Sequence, residues 1–276
     1  MRMVTATASP EMRISSGSST ATSSDPSGPA GATPVARCTA RTVVLFAIPA
    51  GDAIRLTLSF NPVDATLAIL GGGKGKRLGG APKGLIALGG KTILERQLEL
   101  GGSSFAEVLL VADDASAYAA LLAARPEVRL VQDVIPGKGA PGGVHAALAA
   151  ARSEWVVAVA CDMPFVTAKV VEVLLSERAP DVDVVAFQAG GRLQPLLAAY
   201  RAALHPAWGR ALATDPPLRL LVGKFRARLL PGERLQRVDP GLRSLESINE
   251  PKDLERLGAT LPAPRSPPAG PRGFKR

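Results

Sequence analysis

Residues 65–83 read Ala-Thr-Leu-Ala-Ile-Leu-Gly-Gly-Gly-Lys-Gly-Lys-Arg-Leu-Gly-Gly-Ala-Pro-Lys. The run Ala65–Leu70 is apolar without alternation, the pattern of a strand buried on both faces. It breaks at once into glycines at 71, 72, 73 and 75, interleaved with Lys74, Lys76, Arg77 and then Lys83. Glycines let backbone amides approach a ligand closely and point together as an anion nest. The basic side chains add mobile positive charge, and arginine can grip phosphate with two parallel bonds. A glycine-rich loop directly after a buried strand is a natural phosphate site; the plain alternative is a mobile basic surface loop. Neither common nucleotide motif fits. A P-loop needs four residues between Gly and Gly-Lys and then a hydroxyl, and the Gly-x-Gly-x-x-Gly spacing ends on Lys76 or Leu78.

Working outward, further short apolar runs follow at Val108–Ala112, Val128–Val131, Trp155–Ala160 and Val182–Phe187, separated by amphipathic stretches of helical length. Thr92-Ile-Leu-Glu95 has the form of a capping box. Thr167 and Asn249 are placed as further helix N-caps. Strand–helix alternation predicts an α/β fold, a three-layer α/β/α sandwich around a mostly parallel sheet. Ligands in such sheets bind beyond the carboxyl ends of the strands.

Two acids fall at such ends. Asp162, in Ala160-Cys-Asp-Met-Pro164, puts a carboxylate at the open rim, where it can hold magnesium against nucleotide phosphates, since that ion prefers oxygen ligands. Asp133 follows the run Val128–Val131 and precedes Gly139-Ala-Pro-Gly-Gly143; taken alone, both are ordinary turn chemistry. Cys161 reads as a small packing residue. His145 reads as a partly buried structural residue of the next helix. Arg219, Lys224, Arg226 and Arg228 form a late basic cluster, either facing an acceptor phosphate or solvated.

These segments together resemble the molybdenum cofactor guanylyltransferases of the nucleotidyltransferase superfamily, whose loop reads Leu-Ala-Gly-Gly-x-Ser-x-Arg-Met-Gly-x-x-Asp-Lys. Leu70, Gly72, Gly73, Arg77, Gly79 and Lys83 match; Gly71, Gly75, Leu78 and Pro82 depart from it. Asp162 matches the family's Cys-Asp-x-Pro turn. Leu193–Tyr200 is similar to its Pro-Leu-x-Ala-x-Tyr strand. Ser247–Leu254 is similar to its Asn-x-Asn-Thr-Pro-Glu-Asp-Leu, with Ser247 replacing the first Asn. Ala112 stands where the family has a nucleotide-binding asparagine.

The resemblance covers residues 65–257 and implies a nucleotide-diphospho-sugar transferase-like fold, Rossmann-like in plan. It implies Mg2+-dependent transfer of a guanylyl group from GTP to the phosphate of molybdopterin. Arg77, Lys83 and Asp162 would be the catalytic groups, with Asp162 the metal ligand. Leu70, Gly71, Gly72 and Gly73 would cradle the triphosphate, and Asp133 would touch the nucleotide beside Lys83 and Asp162. Pro195 and Asn249 would lie on the acceptor side. Transient contacts with proteins that deliver molybdopterin or receive the cofactor are implied as well. The alternatives are a molybdopterin cytidylyltransferase, a sugar- or alcohol-phosphate nucleotidyltransferase, or a non-catalytic nucleotide-binding regulator. Paired Gly72-Gly73, where those other transferases tend to show Ala-Gly, favours guanine.

Composition sets the outer bounds. The 276 residues are 46% hydrophobic, enough for a real core. Two cysteines, Cys38 and Cys161, exclude a disulfide framework, and two histidines, His145 and His205, argue against a histidine-rich metal centre. No run approaches the ~18–20 apolar residues of a membrane span. A soluble protein of the reducing cytosol is expected. The net charge of +9 divides into +2 over residues 1–62, +3 over 63–259 and +4 over 260–276. The excess therefore sits in the ends, which weakens a nucleic-acid reading of the body. Residues 1–62 are expected to be a low-complexity leader. A faint transit-peptide character and a start codon set too far upstream are the other readings of it, and Val43–Phe46 is a stretch able to pair along a sheet edge. Residues 63–259 are expected to form the enzyme domain, and 260–276, with five prolines, a solvated tail.

Overall fold

The structure, a computed structural model, describes residues 4–6, 43–46, 57–59 and 63–263, apart from 73–74, 102–104, 133–134 and 136. Two compact units divide the chain near residue 61. In the first, Val4–Ala6, Val43–Phe46 and Thr57–Ser59 pair as a small antiparallel sheet, so Val43–Phe46 has strand partners within that unit.

The second unit is built on seven strands: β1 (Val63–Leu70), β2 (Phe105–Val111), β3 (Val128–Val131), β4 (Trp155–Ala160), β5 (Val184–Ala189), β6 (Arg192–Arg201) and β7 (Ala227–Pro231). Their order is β7-β5-β6-β4-β1-β2-β3. Every pairing is parallel except those of β6, which runs against β4 and β5. The first four strands appear at the expected positions to within a few residues. The fifth begins at Val184, two residues later than expected; just before it the Asp183 carboxylate accepts from Arg226. β7 was not expected, its Ala-Arg-Leu-Leu-Pro being too short and too mixed to stand out.

Successive side chains of a strand point to opposite faces, and here both faces are covered. Ala65, Leu67 and Ile69 of β1 join one apolar cluster, with Leu94 and Leu98 of α1 (Ile93–Gly101). Val170 and Leu174 of α4 (Ala168–Ser176) join the same cluster, as does Leu235 of α7 (Gly232–Gln236); Leu121 of α2 (Ala119–Ala123) packs against it. Ala68 and Leu70 join the other cluster, with Val144 and Leu148 of α3 (Gly139–Ala150), Trp208 of α5 (His205–Ala211) and Leu221 of α6 (Leu218–Val222). The result is the three-layer sandwich. Each large aliphatic buried this way contributes ~1.5–3 kcal/mol. Thr66 is the polar exception in β1; fully buried, it donates to Glu107 at 3.0 Å.

A third, smaller cluster joins Leu78, Ile86, Leu88, Ile93, Ile248 and Ala259 beside a short three-stranded sheet. In that sheet Ala259–Thr260 pairs with Ala87–Leu88, so ordered pairing runs one residue into the proline-rich stretch. The last helix, α8 (Pro251–Leu257), follows Glu250 as its N-cap. Asn249 is therefore not the cap, since Pro251 sets the start of the helix one residue later than expected. Among the described residues, no helix is long and apolar enough to cross a membrane.

Candidate active site

After β3 the chain crosses over β2 and β1 to form β4, so β1 and β4 are neighbours whose connections leave in opposite directions. That switch point opens a crevice at their carboxyl ends. The glycine loop leaves β1 there, and the turn bearing Asp162 leaves β4 beside it. Cys161 N–H donates to Leu70 O at 3.1 Å, which locks the two exits together.

The loop is organised rather than free. Gly71 N–H continues the sheet by donating to Val111 O at 2.7 Å, so this amide is spent on β2. A Cβ on Gly71 would lie 3.1 Å from Leu110 Cδ1 and 3.3 Å from the Tyr118 hydroxyl, which favours glycine where the family has alanine. Tyr118, buried beneath the loop, donates to Gly71 O at 3.4 Å. Gly72 is exposed and has open space over its Cα. Gly75 takes a left-handed φ of 50°, and a Cβ there would meet Ala81 O at 2.3 Å, so glycine replaces the family serine for a steric reason. Its carbonyl accepts from Leu78 and Gly80. Leu78 then plugs into the third apolar cluster and anchors the short turn that carries Arg77.

Lys83 is where three segments meet. Its ammonium donates to Asp162 Oδ2 at 2.9 Å and to Asn249 Oδ1 at 2.6 Å. Lys83 and Asp162 are less than a fifth exposed, so the pair is only partly screened by water. Asn249 Nδ2 donates to Ser247 Oγ at 2.7 Å, which aims the amide oxygen at the lysine. Asn249 and Glu250 both give their backbone N–H to Asp253 at 2.9 Å, and these bonds hold the Asp253 carboxyl below its usual range. Ile248 N–H closes the ring on Asp162 O at 3.0 Å. Arg77, by contrast, is 74% exposed and reaches Glu250 at 3.4 Å, a loose surface pair.

The remaining expected residues divide. Pro195 lies on β6 two residues before Leu197, the partner of Val159, and so shares the rim with the turn after β4; its carbonyl accepts from Tyr200 at 2.6 Å. Gly73 and Asp133 lie outside the described residues. Cys161 is buried, and burial with the neighbouring Asp162 pushes its thiol up to about 12, leaving no thiolate for chemistry. His145 packs inside against His205, with ring centroids 4.5 Å apart. Arg226 pairs with Asp183 and Arg228 with Glu177, at the amino end of β7, which is the rim opposite the crevice. The structure thus spends half of the late basic cluster on ion pairs.

Sequence reading gave no role to Gln97, Tyr118 or Asp253. Asp253 stands at the Asp of the matched Ser247–Leu254 segment, and Gln97 interrupts the apolar stripe Leu94, Leu98, Gly101 of α1; Tyr118 left no trace.

One carboxylate facing a lysine, with no group of three metal-binding side chains among the described residues, does not make a metal cage. It does suit Mg2+, which commonly takes one carboxylate and completes its shell with substrate phosphates and water.

Comparison with known proteins agrees with this arrangement. Residues 67–228 match the model of the MobA-like NTP transferase domain. A molybdenum cofactor guanylyltransferase of Desulfosudis oleivorans is 30% identical over 203 residues, 71% of this chain and 96% of that protein. The crystal structure of molybdopterin-guanine dinucleotide biosynthesis protein A from Archaeoglobus fulgidus is 31% identical, spans 70% of this chain and 96% of its own, and superposes with a TM-score of 0.60. A 4-diphosphocytidyl-2C-methyl-D-erythritol synthase from Anaerococcus prevotii, at 15% identity and a TM-score of 0.54, shares the fold alone. With the crevice, the glycine loop and the match over most of the sheet in agreement, the chain belongs to the MobA-like NTP transferase family and is a nucleotidyltransferase.

Proposed function

We propose that this enzyme transfers GMP from GTP to the terminal phosphate of molybdopterin, giving the guanine dinucleotide form of the molybdenum cofactor and pyrophosphate. A phosphate oxygen of the acceptor bonds to the α-phosphorus of GTP. The bond from that phosphorus to the α,β-bridging oxygen breaks, and pyrophosphate leaves with the electron pair. The acceptor oxygen is already anionic, so no side chain need remove a proton. The barrier is repulsion between anions and their alignment, which a protein lowers by positioning and fixed charge.

The observation that carries this reading is the ammonium of Lys83, shared between Asp162 and Asn249 at the switch point. The family's acid before this lysine is Pro82 here, yet the lysine is oriented all the same, by partners distant in sequence. Its charge would stabilise the negative charge that develops on the leaving pyrophosphate. Arg77, exposed and loosely paired, is free to swing onto the triphosphate. Gly72 would let the backbone approach the phosphates closely. Asp162 would hold Mg2+, which when bound neutralises phosphate charge and orients the triphosphate.

Thermal unfolding with each nucleoside triphosphate in Mg2+ tests the reading. GTP should raise the midpoint more than CTP, ATP or UTP, with ~2.7 kcal/mol of stabilisation at a hundredfold excess over Kd. A larger shift with CTP would reassign the enzyme as a cytidylyltransferase.

A further inference from the structure

Beneath the Asp162 turn lies a buried amide that the reaction itself does not use. Gln97 on α1 is 1% exposed and shares the buried face of that helix with Ile93, Leu94 and Leu98. Its Nε2 donates to Ala160 O at 2.7 Å and to Met163 O at 3.0 Å. These carbonyls flank Cys161-Asp162, so one side chain grips both ends of the turn. Two carbonyl oxygens also decide the orientation of the amide, since only the nitrogen can donate to them. The opposite atom, Oε1, is buried with no hydrogen-bond partner among the described residues.

An aliphatic residue at 97 would continue the stripe of Leu94 and Leu98 and bury no unpartnered Oε1, but it would take this donor from the Ala160 and Met163 carbonyls. Keeping an amide there is a local cost to packing, the sort of exception that points to a function elsewhere. Apart from the Lys83 bond to the Asp162 carboxylate, the turn is held by backbone bonds, from Cys161 N–H to Leu70 O, Met163 N–H to Ala160 O and Ile248 N–H to Asp162 O. They set the path of the chain. Gln97 adds the connection to α1, a rigid element whose own start is fixed by the Thr92–Glu95 cap.

We propose that Gln97 is a positioning residue: it fixes the turn after β4 so that the Asp162 carboxylate faces the metal-bound triphosphate. The proposal rests on the reading above, in which Asp162 holds Mg2+. Groups that hydrogen-bond a metal ligand directly are worth about 10–100-fold in metal affinity or activity, and Gln97, which acts through the backbone on either side of Asp162, belongs at the lower end.

Gln97→Met keeps chain length and apolar contact but removes both N–H donors. GTP affinity measured by calorimetry with and without Mg2+ gives the gain in affinity that the metal confers. The variant should unfold within a few degrees of the wild type and bind metal-free GTP within about twofold. Its metal-dependent gain should fall about tenfold, and the Mg2+ concentration for half-maximal single-turnover rate should rise to match. A folded Gln97→Met with an undiminished gain overturns the proposal. Gln97→Leu serves as the second variant; if neither folds, Gln97 belongs to the core alone and the proposal falls. Asp162→Asn, run in parallel, separates the two readings. If it loses the gain while Gln97→Met keeps it, the positioning role is wrong and the metal role stands. If Asp162→Asn keeps the gain as well, the metal role of Asp162 fails first and takes the positioning role with it.

Discussion

Lys83 shows how much one residue's role depends on distant partners. Its ammonium satisfies Asp162 and Asn249, which lie 79 and 166 positions away. Lys83→Met keeps the aliphatic stem, deletes the charge and leaves the Asp162 carboxylate without its counter-ion. If the charge acts where pyrophosphate departs, single-turnover rate at saturating GTP should fall ~100-fold, as for loss of a preorganised electrostatic contact. GTP affinity by calorimetry should fall much less, because a loss shared equally by ground and transition states would appear only as weaker binding. An unchanged saturated rate with weakened affinity would make Lys83 a binding contact and leave Arg77 to carry the charge stabilisation. At this scale a glycine loop and a strand-end acid singled out Lys83 and Asp162 as candidates, and the structure brings the two together at 2.9 Å. The roles of Ser247 and Gln97 were not legible in the sequence, since each acts by aiming or holding another residue and has no chemical signature of its own.

Among the elements, α1 links local sequence to the site most directly. Thr92 N–H and Oγ donate to Glu95 Oε2 at 2.7 and 2.8 Å, and Glu95 N–H returns to Thr92 Oγ at 3.1 Å, completing the expected capping box. These bonds favour the carboxylate and hold the Glu95 pKa below its usual value. A lowered folded-state pKa stabilises above the unfolded-state value, ~4.3, and the benefit is lost as pH falls through the folded-state value. Glu95→Gln should therefore cost about 1 kcal/mol at pH 7 in urea unfolding. The gap to the wild type should close under acid, once both side chains are neutral; a gap independent of pH would mean that charge plays no part in the cap. The strands differ in how plainly they could be read. β1 and β4 are continuous apolar runs because both faces are covered. β7 is an edge strand with one neighbour, β5, and its solvated side admits Arg228 and Pro231. Its pattern is diluted for that reason.

For the whole molecule, the seven-stranded sheet, its covering helices and the small third cluster all lie within residues 63–263. A chain trimmed to about 60–263 should fold and keep the thermal shift with GTP and Mg2+; loss of solubility on removing residues 1–59, but not on removing 1–34, would assign Val43–Phe46 a part in folding. The sequence by itself determined the fold class, because buried strands and amphipathic helices carry their periodicity wherever they end up in space. It also determined where the glycine loop and the rim acid leave the sheet, because a glycine run after a strand and an Asp at a strand end are local patterns. Only the tertiary structure decided which strands adjoin, and hence that the Gly71 loop and Asp162 share one crevice. It decided too that Arg226 and Arg228 are spent on Asp183 and Glu177 at the opposite rim, and that Lys83 is held without an acid at position 82. The physical reason is common to these cases. Strand order and side-chain pairing come from contacts between segments tens to hundreds of residues apart, whose charge and hydrogen-bond energies exist only once the sheet has brought them within a few ångströms.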